Sequence, residues 1–134
     1  MRVLIVDSYS HSREGLRRSL LGGGCEVEAV MGTCEAISTL WDGRFDVAVI
    51  DLDLPRAPGL AMTGWDLARF FRALDAGLGL ILVAAEWSRE AEALADRLER
   101  ARLLEKPINP MELRSIIRAL LAVPLETIRR RGWG

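Results

Sequence analysis

FDVAVIDLDLP, residues 45–55, is the stretch from which the fold can be read. Its apolar run, Val47-Ala48-Val49-Ile50, is too short for an independent helix and rich in β-branched side chains. Such a run reads as a strand buried on both faces, as in the middle of a parallel sheet. It ends abruptly at Asp51, with Asp53 two residues on, and Pro55 stops the extended segment. A carboxylate at the C-terminal end of a buried strand lies where open α/β sheets bind their ligands. The other segments then read as scaffold and companions for Asp51.

On the N-terminal side, residues 2–6 form a second apolar run that also ends in an aspartate, Asp7. The loop Ser8, Tyr9, Ser10, His11 and Ser12 follows, rich in helix-capping hydroxyls. A helix with Leu16 and Leu20 on one face then runs to the triple glycine Gly22-Gly23-Gly24, which ends it. Residues 25–31 alternate as a strand does, with Cys25, Val27, Ala29 and Met31 on one side and Glu26 and Glu28 opposite. Thr33 is expected to cap a short helix whose inner face is Ile37, Leu40 and Trp41, closed by Asp42-Gly43.

On the C-terminal side, a loop with Pro58 and Gly59 leads to Thr63 and Asp66, which have the spacing of a capping box. Leu67, Phe70, Phe71 and Leu74 follow at helical spacing. Residues 78–84 are a further continuous apolar run, hence a buried strand. Ser88 opens a charged helix with Ala91, Leu94, Ala95 and Leu98 inward, and residues 102–105 form a brief fifth strand. Asn109, Pro110 and Glu112 supply the N-cap, N1 and N3 of a last helix, built on Leu113, Ile116, Ile117, Leu120 and Leu121 and ended by Pro124. Strand and helix alternate five times. The expectation is a three-layer, doubly wound α/β domain: a five-stranded parallel sheet of flavodoxin-like order 2-1-3-4-5 with right-handed crossovers.

The 134 residues suit one domain over residues 1–122, followed by a short basic tail, 123–134. Half the residues are apolar and the net charge is -1, so bulk charge points to no nucleic-acid partner. Arg129-Arg130-Arg131 is too short a run to change that. Cys25 and Cys34 lack metal-type spacing and read as reduced residues in or beside the core. No signal-peptide pattern and no run of membrane-spanning length are present, so a cytoplasmic location without membrane partners is expected. Lys106 is the one lysine among 18 cationic residues, the rest being arginines. A compact ammonium placed at a strand end is a better point charge than a guanidinium.

If the sheet is parallel, the ends of its strands deliver Asp7, Asp51, Ala84 and Lys106 to one edge. Here the chain resembles the response-regulator receiver domain of two-component signalling. VLIVDSYSHSR is similar to that family's opening strand and acidic turn, and DVAVIDLDLP to its phosphoacceptor strand. MTGWDL resembles the turn into its third helix, and LLEKP the end of its fifth strand. The resemblance implies that Asp51 is the phosphoacceptor, that Lys106 pairs with the incoming phosphate, and that Asp7 and Asp51 are candidate Mg²⁺ ligands. Asp53, whose family counterpart usually offers only a backbone carbonyl, is a further candidate that would compensate for a missing ligand. Several anions converging on one point call for a hard cation and a lysine to offset them.

The departures from the family pattern are as informative. Ser8 stands where the family has a second acidic residue, the direct metal ligand, so Mg²⁺ binding should be weak or absent, lower by about 10-fold or more. Ala84 replaces the Ser or Thr that bonds the phosphoryl oxygen, and Leu103 replaces the aromatic that follows the phosphorylation state. The loop after Pro55 is longer than usual, and Glu86 and Trp87 are placed to line the pocket or to lie on the surface.

The reading that follows is an atypical receiver that works by binding partners, with phosphorylation of Asp51 weak, altered or absent. The partners implied are a histidine kinase, a phosphotransfer protein or another receiver. A homodimer would use the face of helix four, strand five and helix five, which is expected to carry Arg97, Arg100, Arg102, Arg114 and Arg118. A conventional Mg²⁺-dependent, phospho-switched receiver is the alternative, with Asp53, Glu86 or a loop hydroxyl replacing the lost groups. More remote is a flavodoxin-like phosphate or flavin binder, which the glycine-free loop and the two aspartates oppose. His11, alone in a loop, points to no chemistry of its own. Ordinary enzyme catalysis is not expected, since no nucleophile–base pair is visible.

Overall fold

The computed structural model describes residues 1–55 and 62–122. Its elements alternate as β1 (Arg2–Val6), α1 (Ser10–Gly22), β2 (Glu26–Val30), α2 (Thr33–Asp42), β3 (Val47–Asp51), α3 (Gly64–Leu74), β4 (Gly79–Ala84), α4 (Arg89–Leu98), β5 (Ala101–Glu105) and α5 (Pro110–Leu121). The five strands form one sheet in the order β2-β1-β3-β4-β5, and every pairing is parallel. This is the doubly wound order expected from the sequence.

Period-two alternation explains the three layers. Leu4, Val6, Ala48, Ile50, Leu80 and Leu82 face one side and pack with Ala36, Leu40, Leu67, Phe71, Ala95 and Leu98 from α2, α3 and α4. Val3, Ile5, Val47, Val49, Ile81 and Val83 face the other and pack with Leu16, Leu20, Leu113, Ile117 and Leu120 from α1 and α5. Every residue of β3 and β4 is buried, because a central strand is covered on both faces. Burying each large aliphatic side chain contributes about 1.5–3 kcal/mol, so the sheet's strand ends rest on a stiff support.

The helix starts follow the sequence closely. Thr63 and Asp66 form a reciprocal capping box, Ser88 Oγ accepts the Ala91 N–H, and Asn109 Oδ1 accepts the N–H groups of Met111 and Glu112. At α1 the outcome differs: Tyr9 is the N-cap and no side chain caps it. Gly24 takes φ +90° in the turn into β2, a conformation glycine adopts at little cost.

Several expected inner-face residues lie elsewhere. Trp41 is 73% exposed and Met31 54% exposed. The buried face of α2 is Thr33, Ala36 and Leu40, with Thr33 inside the helix and Gly32 as its N-cap. Leu74 is exposed, and α3 buries Gly64, Leu67, Ala68 and Phe71. In both helices the buried stripe is rotated toward smaller residues, because Ala36, Ala68 and Gly64 allow close approach to the sheet and bulky neighbours do not. Pro58, Gly59 and Pro124, and the basic tail with Arg129, Arg130 and Arg131, lie outside the described residues.

Arg72 connects α3 to the α4–β5 junction. Its Nε donates to Leu98 O at 2.7 Å, and one terminal nitrogen donates to Glu99 O at 2.7 Å and Arg100 O at 3.3 Å. Its other terminal nitrogen donates to Asp75 O and Ala76 O. These carbonyls surround a turn in which Glu99 and Arg100 both have positive φ, 54° and 46°. Burial lowers the Arg72 pKa to about 10, so it is still a cation at neutral pH.

Candidate functional site

β1, β3, β4 and β5 all end on one edge of the sheet, and that edge assembles the site. Asp7 and Asp51 are 5% and 3% exposed at the ends of adjacent strands. A buried carboxylate needs partners, and both have them. Asp7 Oδ1 accepts the Tyr9 N–H at 2.9 Å, and its Oδ2 accepts the Ser12 hydroxyl at 2.5 Å. Asp51 Oδ1 accepts the Asp53 N–H at 2.9 Å, and Lys106 Nζ lies 3.0 Å from Asp51 Oδ2.

Lys106 also lies 3.5 Å from Asp53 Oδ2 and 5.8 Å from the centre of the Tyr9 ring. Partial burial works against its charge, but the hydrogen bond and charge of Asp51, followed by those of Asp53, outweigh that and raise its pKa above the ordinary lysine value. Its backbone N–H donates to Ala84 O, which fixes the strand end, and the Lys106–Pro107 peptide is cis. Asp53 Oδ2 accepts the Ala85 N–H at 3.0 Å, linking the ends of β3 and β4.

The candidate site residues all lie within the described part of the structure. Asp7, Asp51, Asp53 and Lys106 converge, while Ser8 is half-buried beside them. Ala84 is buried and Leu103 packs against the α2–α4 side of the core. Glu86 and Trp87 are exposed. The Trp87 backbone N–H donates to Glu105 at 2.6 Å and its indole N–H to Glu92 at 2.9 Å. Arg114 and Arg118 line a cleft with Leu20, Gly23 and Gly24 at the end of α1. Arg114 packs its aliphatic stem against Gly23, so this part of the expected basic face lies on the α1 side, leaving the exposed Arg97 and Arg102 on α4 and β5.

Sequence reasoning missed the Ser12–Asp7 bond, the Asp53–Ala85 bond and the Trp87–Glu105 contact. Ser12 lies five residues after Asp7, in the first turn of α1, and that spacing was the available signal. The other two contacts cross between strands, and nothing local announces them.

A divalent cation fits the chemistry of this edge in part. Asp7 and Asp51 offer hard oxygen atoms, each with a lone pair beyond the bond it already accepts. Among the described residues, however, no three His, Cys, Asp or Glu side chains are grouped to hold a metal ion. A groove of about 730 Å³, lined by Tyr9, His11, Leu16, Pro107, Ile108 and Pro110, opens beside Lys106.

Residues 3–118 match the family model described as the response regulator receiver domain. The chain belongs to that family. Among curated relatives it is 31% identical over 121 residues to response regulator MprA of Mycobacterium sp. (strain KMS), covering 90% of this chain and 50% of that protein. The Mycobacterium leprae MprA is 33% identical over 121 residues, with 90% and 51% covered. This receiver thus spans about half the length of the curated relatives it matches. Among solved structures, the Vibrio cholerae chemotaxis protein CheY4 is similar with a TM-score of 0.80 at 26% identity, over 90% of this chain and 98% of that one. A CheY-like receiver domain protein from Methanospirillum hungatei JF-1 gives a TM-score of 0.79 at 26% identity, over 98% of each chain. Receiver domains act as modules of two-component signal transduction, and no described helix is long and apolar enough to cross a membrane.

Proposed function

We propose that this receiver is an atypical one, acting mainly as a non-enzymatic protein-interaction module in the cytoplasm, with phosphorylation of Asp51 weak, altered or absent. The contact that carries the reading is Lys106 Nζ on Asp51 Oδ2 at 3.0 Å, at the C-terminal end of a fully buried strand. It supplies a positioned carboxylate and a counter-charge, which phosphoryl transfer requires. In that step a carboxylate oxygen of Asp51 forms the bond to phosphorus in line, and the donor's leaving group departs with its electron pair. Lys106 offsets the added charge. Asp7 and Asp51 would hold Mg²⁺, with Asp53 adding charge nearby, and the bound ion would neutralise phosphoryl oxygens.

The weakness follows from what stands beside these groups. Ser8 brings no charge to the metal, and Ala84 has no donor for a phosphoryl oxygen. Leu103 packs against the core and offers no aromatic ring to change position with the state of the site. Partners of the expected kind are a histidine kinase, a phosphotransfer protein or another receiver, with α4, β5 and α5 as the surface for self-association.

Acetyl phosphate with Mg²⁺, applied to the wild type and Asp51→Ala, tests this. Slow or undetectable labelling, with Mg²⁺ bound only weakly, is the expected result. Micromolar Mg²⁺ affinity and prompt labelling abolished by Asp51→Ala would establish the conventional phospho-switched alternative. The Ser12 hydroxyl on Asp7 gives that alternative its support, since it is a hydroxyl from the segment after β1 bonded to a candidate metal ligand.

A further inference from the structure

We propose that the Asp53 carboxylate is an internal oxoanion, filling the position between the Ala85 N–H and the Lys106 ammonium that a phosphoryl group on Asp51 would have to take. This deepens the reading of Asp51 as acceptor and rests on it. One oxygen, Asp53 Oδ2, receives the Ala85 N–H at 3.0 Å and lies 3.5 Å from Lys106 Nζ. The same ammonium is 3.0 Å from Asp51 Oδ2. The two donors thus share one anionic oxygen, and the ammonium reaches Asp51 as well.

Asp53 has no other evident reason to face inward. Its side chain is 47% exposed, so it could hydrate freely, and two residues after a strand end it has no helix to cap. Its own N–H donates to Asp51 Oδ1, and the turn that results points its carboxylate back across the strand ends. A hydrogen bond from an N–H to an ionised carboxylate, together with an ammonium, is the arrangement proteins use for phosphate oxygens. Ala84 makes the competition sharper. With no hydroxyl at the end of β4, the Ala85 N–H is the donor that directly follows the strand, and Asp53 holds it.

An oxoanion on Asp51 must displace Asp53, and it meets the repulsion of a second carboxylate while doing so. Asp53 is thus a positioning residue that sets the affinity of the site for tetrahedral anions. Removing its charge should free both donors and strengthen anion binding by about tenfold, equal to about 1.4 kcal/mol.

The test uses beryllofluoride with saturating Mg²⁺ on the whole chain, comparing wild type with Asp53→Ala and the near-isosteric Asp53→Asn, and Asp51→Ala as the control for location. Binding is followed by the amide resonance of Ala85 and by titration calorimetry. Support is an Asp51-dependent affinity about tenfold higher in both Asp53 variants, with the Ala85 amide shifted by the substitution itself and again by the anion. Equal affinities in wild type and variants, with Asp51-dependent binding intact, overturn the role of Asp53 and leave Asp51 as acceptor. Failure of every form to bind overturns the acceptor reading, and this proposal falls with it.

Discussion

The backbone N–H of Trp87 donates to the Glu105 carboxylate at 2.6 Å, joining the loop after β4 to the end of β5. The Trp87 indole continues the chain of contacts to Glu92 on α4. A ligand shifts a conformation only by the difference in its affinity for two states. Nothing in this clasp touches Asp51, so beryllofluoride with Mg²⁺ should leave the Trp87 amide's hydrogen exchange nearly unchanged. Self-association or partner affinity through α4 and β5 should then shift by less than about tenfold. Glu105→Ala should speed Trp87 exchange markedly with or without the anion. Anion-dependent exchange in the wild type would show that the loop is coupled to the site after all.

Gly64 sets how closely α3 approaches the turn after Asp51. A Cβ added there would lie 2.8 Å from Leu52 Cα and 3.1 Å from the carbonyl oxygens of Asp51 and Leu52. Those neighbours are backbone and cannot rotate aside. Gly64→Ala should cost about 1–3 kcal/mol, an overpacking penalty that outweighs alanine's better helix propensity. Urea unfolding measures the loss. An unchanged midpoint would mean that α3 can withdraw from the turn without strain.

The strand plan was legible because β3 and β4 are short, apolar on both faces and bounded by charge or turn residues, which leaves one period and one length to fit. Asp7, Asp51 and Lys106 were legible because a strand end fixes where the next side chain goes. The rotated faces of α2 and α3 were not. Trp41 and Leu74 fall at spacings that suit an inner stripe, and only the fit of Ala36, Ala68 and Gly64 against the sheet decides otherwise. The contacts of Asp53 were not legible either: its carboxylate faces Ala85 and Lys106. That choice depends on an amide 32 residues away, and no local pattern encodes it.

Arg72 serves the carbonyl groups of Leu98, Glu99 and Arg100, at a junction where Glu99 and Arg100 have positive φ. A lysine offers no planar fork, so even Arg72→Lys should lose most of the bonds. Each carbonyl left unsatisfied in a half-buried turn costs about 1–3 kcal/mol, less where water can enter. Arg72→Ala should therefore destabilise the fold by about 2–4 kcal/mol, and Arg72→Lys by a similar amount. Chemical unfolding of both variants checks this. A lysine variant as stable as the wild type would show that charge alone is needed there.

Lys106 gives the site a pH dependence whose sign is fixed by its neighbours. Its folded pKa is raised, chiefly by Asp51 and then Asp53, against the opposing effect of partial burial. A base that holds its proton more tightly when folded stabilises the fold fully below its unfolded value, near 10.5. That contribution disappears as pH rises through the folded value, above 10.5. Lys106→Met should flatten the wild type's loss of stability across that alkaline window, while leaving Asp51 buried without its ammonium at neutral pH. The neutral-pH cost should be about 1–3 kcal/mol, nearer the lower figure because the lysine side chain is a third exposed and so screened by water. Urea midpoints of wild type and variant at pH 7 and across pH 9.5–11.5 would read both effects, on the order of one proton in the slope. Parallel alkaline profiles for the two proteins would mean that Lys106 is no more tightly protonated in the folded state than in the unfolded chain.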